Sequence, residues 1–311
     1  MIIVYLSFFI FLLNIVPANS SQSIFFSQVP FSALRVLELS HSQDLIRITN
    51  FSTMPNLETL ILKGCTNLLE IDPSIEVLDK LGLLNLRGCK KLDDLPNSIS
   101  NLTSLEILNV SGCSKLKNLP EDLGCLQCLL SLNADGTAIR QLPSSLGLLK
   151  NINILTFCGC KGLASESWFP PALVMKSSIQ FCLQLSSFSG LCSSSELDLS
   201  DCKLSDGAIP SDFWNLLSLQ KLDLSGNHIT TLPSGIAQLS KLRVLRLGHC
   251  HWLRKIPNLP LRMQEVDANN CISLEMLSTT SCDVMESTSL ENSLTQNVLQ
   301  RIQVCLSLSQ Y

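Results

Sequence analysis

Cysteine and histidine are the residue types in this sequence whose spacing could support chemistry. Cys125 and Cys128 form a C-x-x-C pair, a spacing found in redox-active dithiols and in zinc sites. His249, Cys250 and His251 form a second group of potential metal ligands. A zinc site of this kind needs a second pair at a defined distance, and none follows either group. The spacing alone is therefore weak support for a metal or redox centre.

Sequence motifs for other catalytic chemistry are missing. There is no phosphate-binding G-x-x-x-x-G-K-[ST] loop and no dinucleotide-binding G-x-G-x-x-G. There is no G-x-S-x-G nucleophile elbow and no set of kinase motifs. We therefore expect a protein that is not an enzyme, with no catalytic residues, no cofactor and no bound metal ion.

An internal repeat explains where many of the cysteines lie. The segment LGLLNLRGCKKLDDLPNSISNLTS starts at Leu81 and aligns without a gap to LEILNVSGCSKLKNLPEDLGCL, which starts 24 residues later at Leu105. Both fit the leucine-rich-repeat signature, here with Cys at position nine. About ten copies can be aligned, and they start at Leu34, Leu57, Leu81, Leu105, Leu129, Ile152, Ser194, Leu219, Leu242 and Met263.

The repeat predicts an α/β fold, a horseshoe-shaped solenoid of leucine-rich repeats. The L-x-x-L-x-L part reads as a short strand with one buried face, and stacked copies give one parallel strand per repeat on the concave side. Leu-Pro pairs such as Leu95-Pro96 fix φ and remove a backbone donor. The returning segment on the convex side should therefore be irregular or 3-10 helical.

Position nine accounts for half of the 14 cysteines. We expect its small side chain to be buried and to satisfy backbone groups of the turn, so that Cys250 points inward and its two histidine neighbours point elsewhere. Leu126 occupies a core position, and Cys125 and Cys128 should flank a packed turn. A row of adjacent buried thiols favours a reducing compartment, because it would risk mispairing in an oxidising one. The position-nine cysteines are Cys65, Cys89, Cys113, Cys160, Cys202, Cys250 and Cys271.

The overall charge and the aromatic content argue against a nucleic-acid partner. The chain has 311 residues, a formal net charge of −4 and 5% aromatic residues. No basic stripe stands out, and aromatic platforms for stacking bases are scarce. A protein ligand is the partner that an extended repeat surface suggests.

The sequence divides into four parts. Residues 1–20 form an apolar segment that resembles a signal peptide or anchor, although no Lys or Arg precedes its core. Residues 21–33 are an entry segment. Residues 34–282 hold the leucine-rich repeats, interrupted near 164–193. Residues 283–311 form a polar tail, for which disorder and a short helix are both open.

The side chains between the buried strand positions are expected to face solvent on the concave side and to contact the partner. At the position between the last two strand leucines, early repeats carry neutral residues and later repeats carry charges. We take the charged group in the later repeats as the partner-binding region; ordinary solubilising charges are the alternative. This charged cluster consists of Glu196, Asp198, Lys221, Asp223, Arg243 and Arg246.

Several segments resemble one family closely. LETLILKGCTNLLEIDPSI, LNLRGCKKLDDLPNSI, LNVSGCSKLKNLPEDL and LDLSGNHITTLPSGIAQLSKL are similar to the repeats of plant intracellular disease resistance proteins of the Toll/interleukin-receptor, nucleotide-binding, leucine-rich-repeat type. The resemblance extends from about Leu34 to Met276. The phrases ADGTAI and LSDGAIP are more specific than the generic repeat. No residues match the Toll/interleukin-receptor or nucleotide-binding domains, so an NAD-cleaving or ATP-switching activity does not carry over.

The resemblance implies a non-enzymatic recognition module of plant innate immunity in the cytoplasm, which binds a pathogen effector or a guarded host protein. Residues 1–17 leave membrane association open, and sequons at Asn50, Asn101 and Asn109 would suit the secretory pathway. The alternative is therefore a secreted or membrane-linked receptor-like repeat protein, or an inhibitor of an extracellular enzyme. The sequence leaves the oligomeric state open.

Overall fold

The computed structural model describes residues 2–5, 23–25, 31–160, 188, 190–274 and 276–277. These residues form a solenoid built on a parallel sheet of eleven strands in the spatial order β1-β3-β5-β7-β8-β9-β10-β11-β12-β13-β15, with smaller sheets β2-β4-β6 and β14-β16 beside it. The strands are β1 (Ile2–Tyr5), β2 (Ser23–Phe25), β3 (Leu34–Glu38), β4 (Arg47–Thr49), β5 (Thr59–Ile61), β6 (Glu70–Ile71), β7 (Leu83–Asn85), β8 (Ile107–Asn109), β9 (Ser131–Asn133), β10 (Ile154–Thr156), β11 (Glu196–Asp198), β12 (Lys221–Asp223), β13 (Val244–Arg246), β14 (Lys255–Ile256), β15 (Glu265–Asp267) and β16 (Met276–Leu277).

Each three-residue strand of the long sheet buries its middle residue and leaves the residues on either side half-buried or exposed, as the repeat predicts. In β8 the middle residue Leu108 is fully buried, whereas Ile107 keeps 39% of its surface exposed. Leu108 pairs in register with Leu84 of β7 and with Leu132 of β9. The buried leucines therefore stack one above another through the solenoid, because side chains alternate between the two faces of a strand.

Short 3-10 helices form the convex side, and the described residues contain no α-helix. Most of them start directly after a proline held in an extended conformation; at Pro96 φ is −65° and ψ is 142°. The proline cannot donate to a sheet, so the chain leaves the extended conformation and closes a tight turn. The helices span Phe51–Thr53, Pro73–Val77, Asn97–Asn101, Leu123–Cys125, Ser144–Leu148, Ser211–Asn215 and Ser234–Gln238.

The interrupted repeat leaves the long sheet continuous. Strand β10 pairs directly with β11, with Ile154 opposite Glu196, although their repeats start 42 residues apart, at Ile152 and Ser194. Phe188 returns to the core and makes an edge-to-face contact with Phe213, with ring centroids 5.3 Å apart. The extra residues therefore add no strand between β10 and β11.

Several sequence predictions lie partly or wholly outside the described residues. These are the polar tail, most of the interruption and most of the apolar N-terminal segment. The part of that segment that is described, β1, pairs in parallel with β3 at the end of the long sheet. Within the described residues, the helices are too short to cross a bilayer.

Two adjacent residues of β8 give a matched test of this stacking. Leu108→Asp should destabilise the protein by about 3–5 kcal/mol, because it places an unpaired charge in the core between neighbouring repeats. Ile107→Asp, on the opposite face, should change the free energy of unfolding by less than about 1 kcal/mol. Urea denaturation followed by circular dichroism measures both. Equal losses for the two variants would contradict the assigned strand orientation.

Candidate functional site

The chain turns inward after each strand, and the side chain at position nine satisfies the backbone there. Cys89 Sγ donates to the carbonyl of Leu62 in the preceding repeat at 3.2 Å. The repeat that starts at Leu219 has Asn227 at this position, and its amide donates to the carbonyls of Leu199 and Leu224 at 2.9 and 2.8 Å. Cysteine and asparagine thus fill the same structural role. Equivalent thiol bonds are made by Cys65, Cys113, Cys160, Cys202, Cys250 and Cys271.

Burial raises the pKa of most of these thiols and so favours their protonated form. It raises the pKa of Cys160 and Cys271 to about 11 and the pKa of Cys250 to about 12. In the adjacent pair Cys89 and Cys113, the contact between the two thiols raises the pKa of Cys89, to which burial also contributes, and lowers the pKa of Cys113. Nucleophilic attack and metal binding need the thiolate. The position-nine cysteines are therefore packing and hydrogen-bonding residues.

The two possible metal-binding groups separate as the repeat predicts. Cys250 is fully buried, whereas His249 and His251 are exposed. Cys125 and Cys128 are exposed free thiols on either side of the buried Leu126. Across the part of the chain that the structure describes, no three His, Cys, Asp or Glu side chains converge as metal ligands do.

The structure brings five of the six residues of the charged cluster onto strands β11, β12 and β13, and Arg243 directly precedes β13. Lys221 Nζ lies 3.3 Å from Glu196 Oε2 on the neighbouring strand, and Arg246 Nη1 lies 3.9 Å from Asp223 Oδ2. Arg243 is exposed. Both ion pairs are open to solvent through Lys221 and Arg246, so we expect each to contribute little to stability.

The two aspartates of the charged cluster also have a structural role that the repeat pattern did not indicate. Asp198 Oδ1 accepts the backbone N–H of Ser200 at 2.8 Å, and Asp223 Oδ1 accepts that of Ser225 at 2.9 Å. Asn109 makes the same bond to Ser111 at 3.0 Å. Side chains of this kind close a turn at the end of six strands of the long sheet, and Asn and Asp are interchangeable in that geometry.

An apolar patch on the earlier strands is a second feature of the concave face. Ile107 and Leu130 keep 39% and 44% of their surface exposed, and Ile107 pairs in register with Leu83. Most residues of this patch directly precede the middle leucine of a strand. The change from neutral to charged residues along the repeats lies at the residue that follows this leucine. Leu130 directly precedes β9, and Ser131 separates Ile107 from Ile154 in the register of the sheet. The apolar patch consists of Ile61, Leu83, Ile107, Leu130 and Ile154.

Comparison with known families agrees with this geometry. A family profile described as "Disease resistance protein RPS4B-like, leucine-rich repeats" matches residues 73–277, which is 205 of the 311 residues. The chain belongs to this family. The matched residues include six of the seven position-nine cysteines and the whole charged cluster.

Curated relatives of the RPS4B-like repeats are much longer than this chain. TMV resistance protein N of Nicotiana glutinosa is 37% identical over 145 residues, which cover 46% of this chain and 11% of that protein. Disease resistance protein RPS4B of Arabidopsis thaliana is 33% identical over 246 residues, which cover 78% of this chain and 18% of that protein. The similarity therefore concerns the repeats and a small part of each relative.

A solved structure supports the fold of the RPS4B-like repeats. The leucine-rich repeat domain of the type III effector XCV3220 (XopL) superposes with a TM-score of 0.57 at 24% identity, and the match covers 74% of this chain and 75% of that chain. At this identity the likeness concerns the architecture alone.

Thiol labelling tests whether the position-nine cysteines of the RPS4B-like repeats are buried. In the native protein at neutral pH, N-ethylmaleimide should label Cys125, Cys128 and Cys192, which are exposed. It should reach the seven position-nine cysteines only after unfolding, because they are buried. Peptide mass spectrometry identifies each site. Labelling of native Cys89 or Cys113 at the rate of Cys125 would contradict the burial of the position-nine thiols.

The same thiols predict an alkaline loss of stability. The folded pKa values of Cys160, Cys250 and Cys271 lie above the value of about 8.5 for an unfolded thiol. The folded state then holds protons that the unfolded state has lost, so stability is complete below pH about 8.5 and falls as the pH rises towards 11. Urea midpoints measured across this range should show the fall. Cys250→Asn, which introduces the residue found at Asn227, should reduce its slope, and an unchanged slope would argue against this origin.

Asp198 gives a test that separates its charge from its turn bond. Burial raises the pKa of Asp198, so the charged form costs free energy in the folded state. Asp198→Asn keeps the acceptor oxygen and should leave stability equal or slightly higher. Asp198→Ala removes the bond to Ser200 and should lower stability by about 1 kcal/mol. Thermal unfolding of both variants measures the difference, and equal stability would show that the turn bond contributes nothing.

Proposed function

We propose that this chain is a non-enzymatic protein-recognition module of plant innate immunity, which binds a pathogen effector or a host protein on its concave face. The observation that carries the proposal is the apolar patch. Its isoleucines and leucines are partly exposed on a sheet whose other face holds the core. Contiguous exposed apolar residues on a soluble protein mark interaction sites.

The charged cluster fits the same role as the polar border of the site. Protein interfaces commonly combine an apolar centre with a polar, partly solvated rim. Here the apolar patch occupies β5 to β10 and the charged cluster occupies β11 to β13. Lys221 and Arg246 already lie beside acidic partners, so a ligand can exchange those weak pairs for its own. In this scheme the patch supplies affinity, and the charges supply orientation and association rate.

The cytoplasm is the compartment that the cysteines support. The described cysteines are all free thiols, and seven of them stand in one buried column. Such a column is safest where thiols are kept reduced. The disease resistance relatives add a role in defence, which we extend to this chain as part of the proposal because the chain spans only 10 to 18% of the first relatives' length.

Two exposed aliphatic residues on opposite sides of the solenoid test the concave-face proposal. Ile107 lies on the concave strand β8, and Leu148 ends a convex 3-10 helix with 58% of its surface exposed. Ile107→Arg should remove binding of partners found by screening the full chain against plant proteins and pathogen effectors, because it places a charge in the apolar patch. Leu148→Arg should leave that binding intact.

Affinities of the purified variants for each partner decide the outcome. A loss of at least about tenfold for Ile107→Arg, at unchanged thermal stability, supports the proposal. Unchanged affinity for Ile107→Arg, or equal losses for the two variants, would overturn the concave-face assignment.

A further inference from the structure

A hollow outside the concave face lies on the edge where the strands end. It has a volume of about 280 Å³ and lies among the segments that follow β11, β12 and β13. Its lining includes Gly226 and Asn227, and all three of these repeats contribute residues to it. The volume is slightly below the range of typical small-molecule sites, so it suits one side chain of a partner better than a cofactor.

Glycine and non-glycine residues alternate at one backbone position that borders the hollow. The residue before position nine has a left-handed conformation in each repeat of this region, with φ of 54° at Asp201, 68° at Gly226 and 59° at His249. A β-carbon on Gly226 would lie 2.4 Å from Asp201 Oδ1, so glycine at this position allows the Asp201 side chain to approach the backbone of the next repeat. Asp201 and His249 occupy the equivalent position in the repeats before and after Gly226.

The repeats from Leu57 to Ile152 provide an internal comparison. There the same position is filled by glycine in an unbroken row, namely Gly64, Gly88, Gly112, Gly136 and Gly159. Glycine adopts positive φ without strain, whereas aspartate and histidine do so at a conformational cost. Strained residues of this kind cluster at binding sites, where their side chains are used. The chain departs from glycine at this position at Asp201 and His249, which line the hollow, and also at His41 and Asn270, which do not.

The remaining walls are rich in rings and balanced in charge. Trp252 exposes 60% of its surface, and His249 and His251 form an edge-to-face pair with ring centroids 6.1 Å apart. His228 and Lys203 complete the lining. Asp201 and Lys203 carry opposite formal charges, and neither is part of an ion pair among the described residues.

This chemistry selects the kind of side chain that the hollow can take. A carboxylate would be attracted by Lys203 and repelled by Asp201, and a guanidinium or ammonium group would experience the reverse, so neither charge gains a clear net attraction from this pair. An uncharged aromatic ring can pack against the indole and the imidazoles. A hydroxyl on that ring can donate to Asp201 and accept from Lys203, and neutral imidazole offers one donor and one acceptor.

We propose that the hollow bounded by Asp201, Lys203, His228, His249, His251 and Trp252 is an anchor site for a tyrosine side chain of the bound partner. The inference rests on the proposed recognition function and adds a second contact, on the strand-exit edge beside the charged cluster. Tyrosine is among the residues that dominate interface energetics, because it buries a large rigid ring and retains one polar group.

The test uses small probes and needs no partner protein. N-acetyl-tyrosinamide, N-acetyl-phenylalaninamide, N-acetyl-glutamate amide and N-acetyl-argininamide are titrated into the full chain, and the indole N–H signal of Trp252 is followed by NMR. The chain has three tryptophans, and loss of one signal in Trp252→Phe assigns it. We expect a saturable shift with the tyrosine probe, a weaker one with phenylalanine, and the smallest shifts with the two charged probes.

Two histidine-to-glycine variants provide the matched control. His249→Gly and His41→Gly both replace a left-handed histidine with the residue that tolerates this conformation, and only His249 borders the hollow. His249→Gly should weaken the tyrosine probe by about tenfold, the equivalent of one aromatic contact. His41→Gly should leave the affinity unchanged, and both variants should remain folded.

Three results would overturn the inference. They are no saturable shift with any probe, tighter binding of a charged probe than of the tyrosine probe, and full affinity in His249→Gly. None of them bears on the concave face, which is tested separately by partner binding of Ile107→Arg. A functional concave face without this anchor, and the reverse, are therefore distinguishable.

Discussion

The backbone that leaves each strand has to enter an apolar core without losing its hydrogen bonds, and the rest of the solenoid depends on how this is solved. An unpaired buried carbonyl is costly because no water can reach it. Position nine supplies the missing donor, from a thiol in seven repeats and from an amide at Asn227. With that donor in place, the chain can turn inward at these repeats and the strands can stack in register.

The same constraint divides the cysteines into two kinds. The buried thiols donate to carbonyls and are chemically quiet, whereas Cys125 and Cys128 occupy the exposed convex side. A count of cysteines alone suggests a disulfide framework or a metal protein. Their position within the repeat changes that interpretation, because a residue's role follows from the strand geometry around it and only secondarily from its type.

The repeat period made the architecture predictable, since it fixes which residues are buried, where strands lie and where prolines end them. The concave surface was harder to predict. Its charged cluster was visible at the position after the middle leucine, but the turn bonds of Asp198 and Asp223 depend on backbone geometry that the sequence does not display. The hollow near Trp252 is lined by residues of three successive repeats. Such features arise from stacking, and a single repeat contains no sign of them.

The direct pairing of β10 with β11 has a consequence for how such proteins diversify. The connection there is longer than in the other repeats, yet the strands remain neighbours in register. Loop closure becomes only slowly more expensive with length, by about 0.6 kcal/mol for each doubling. New segments can therefore be grafted at this junction during evolution, or by a protein engineer, while the curvature of the scaffold and the spacing of its binding residues are preserved.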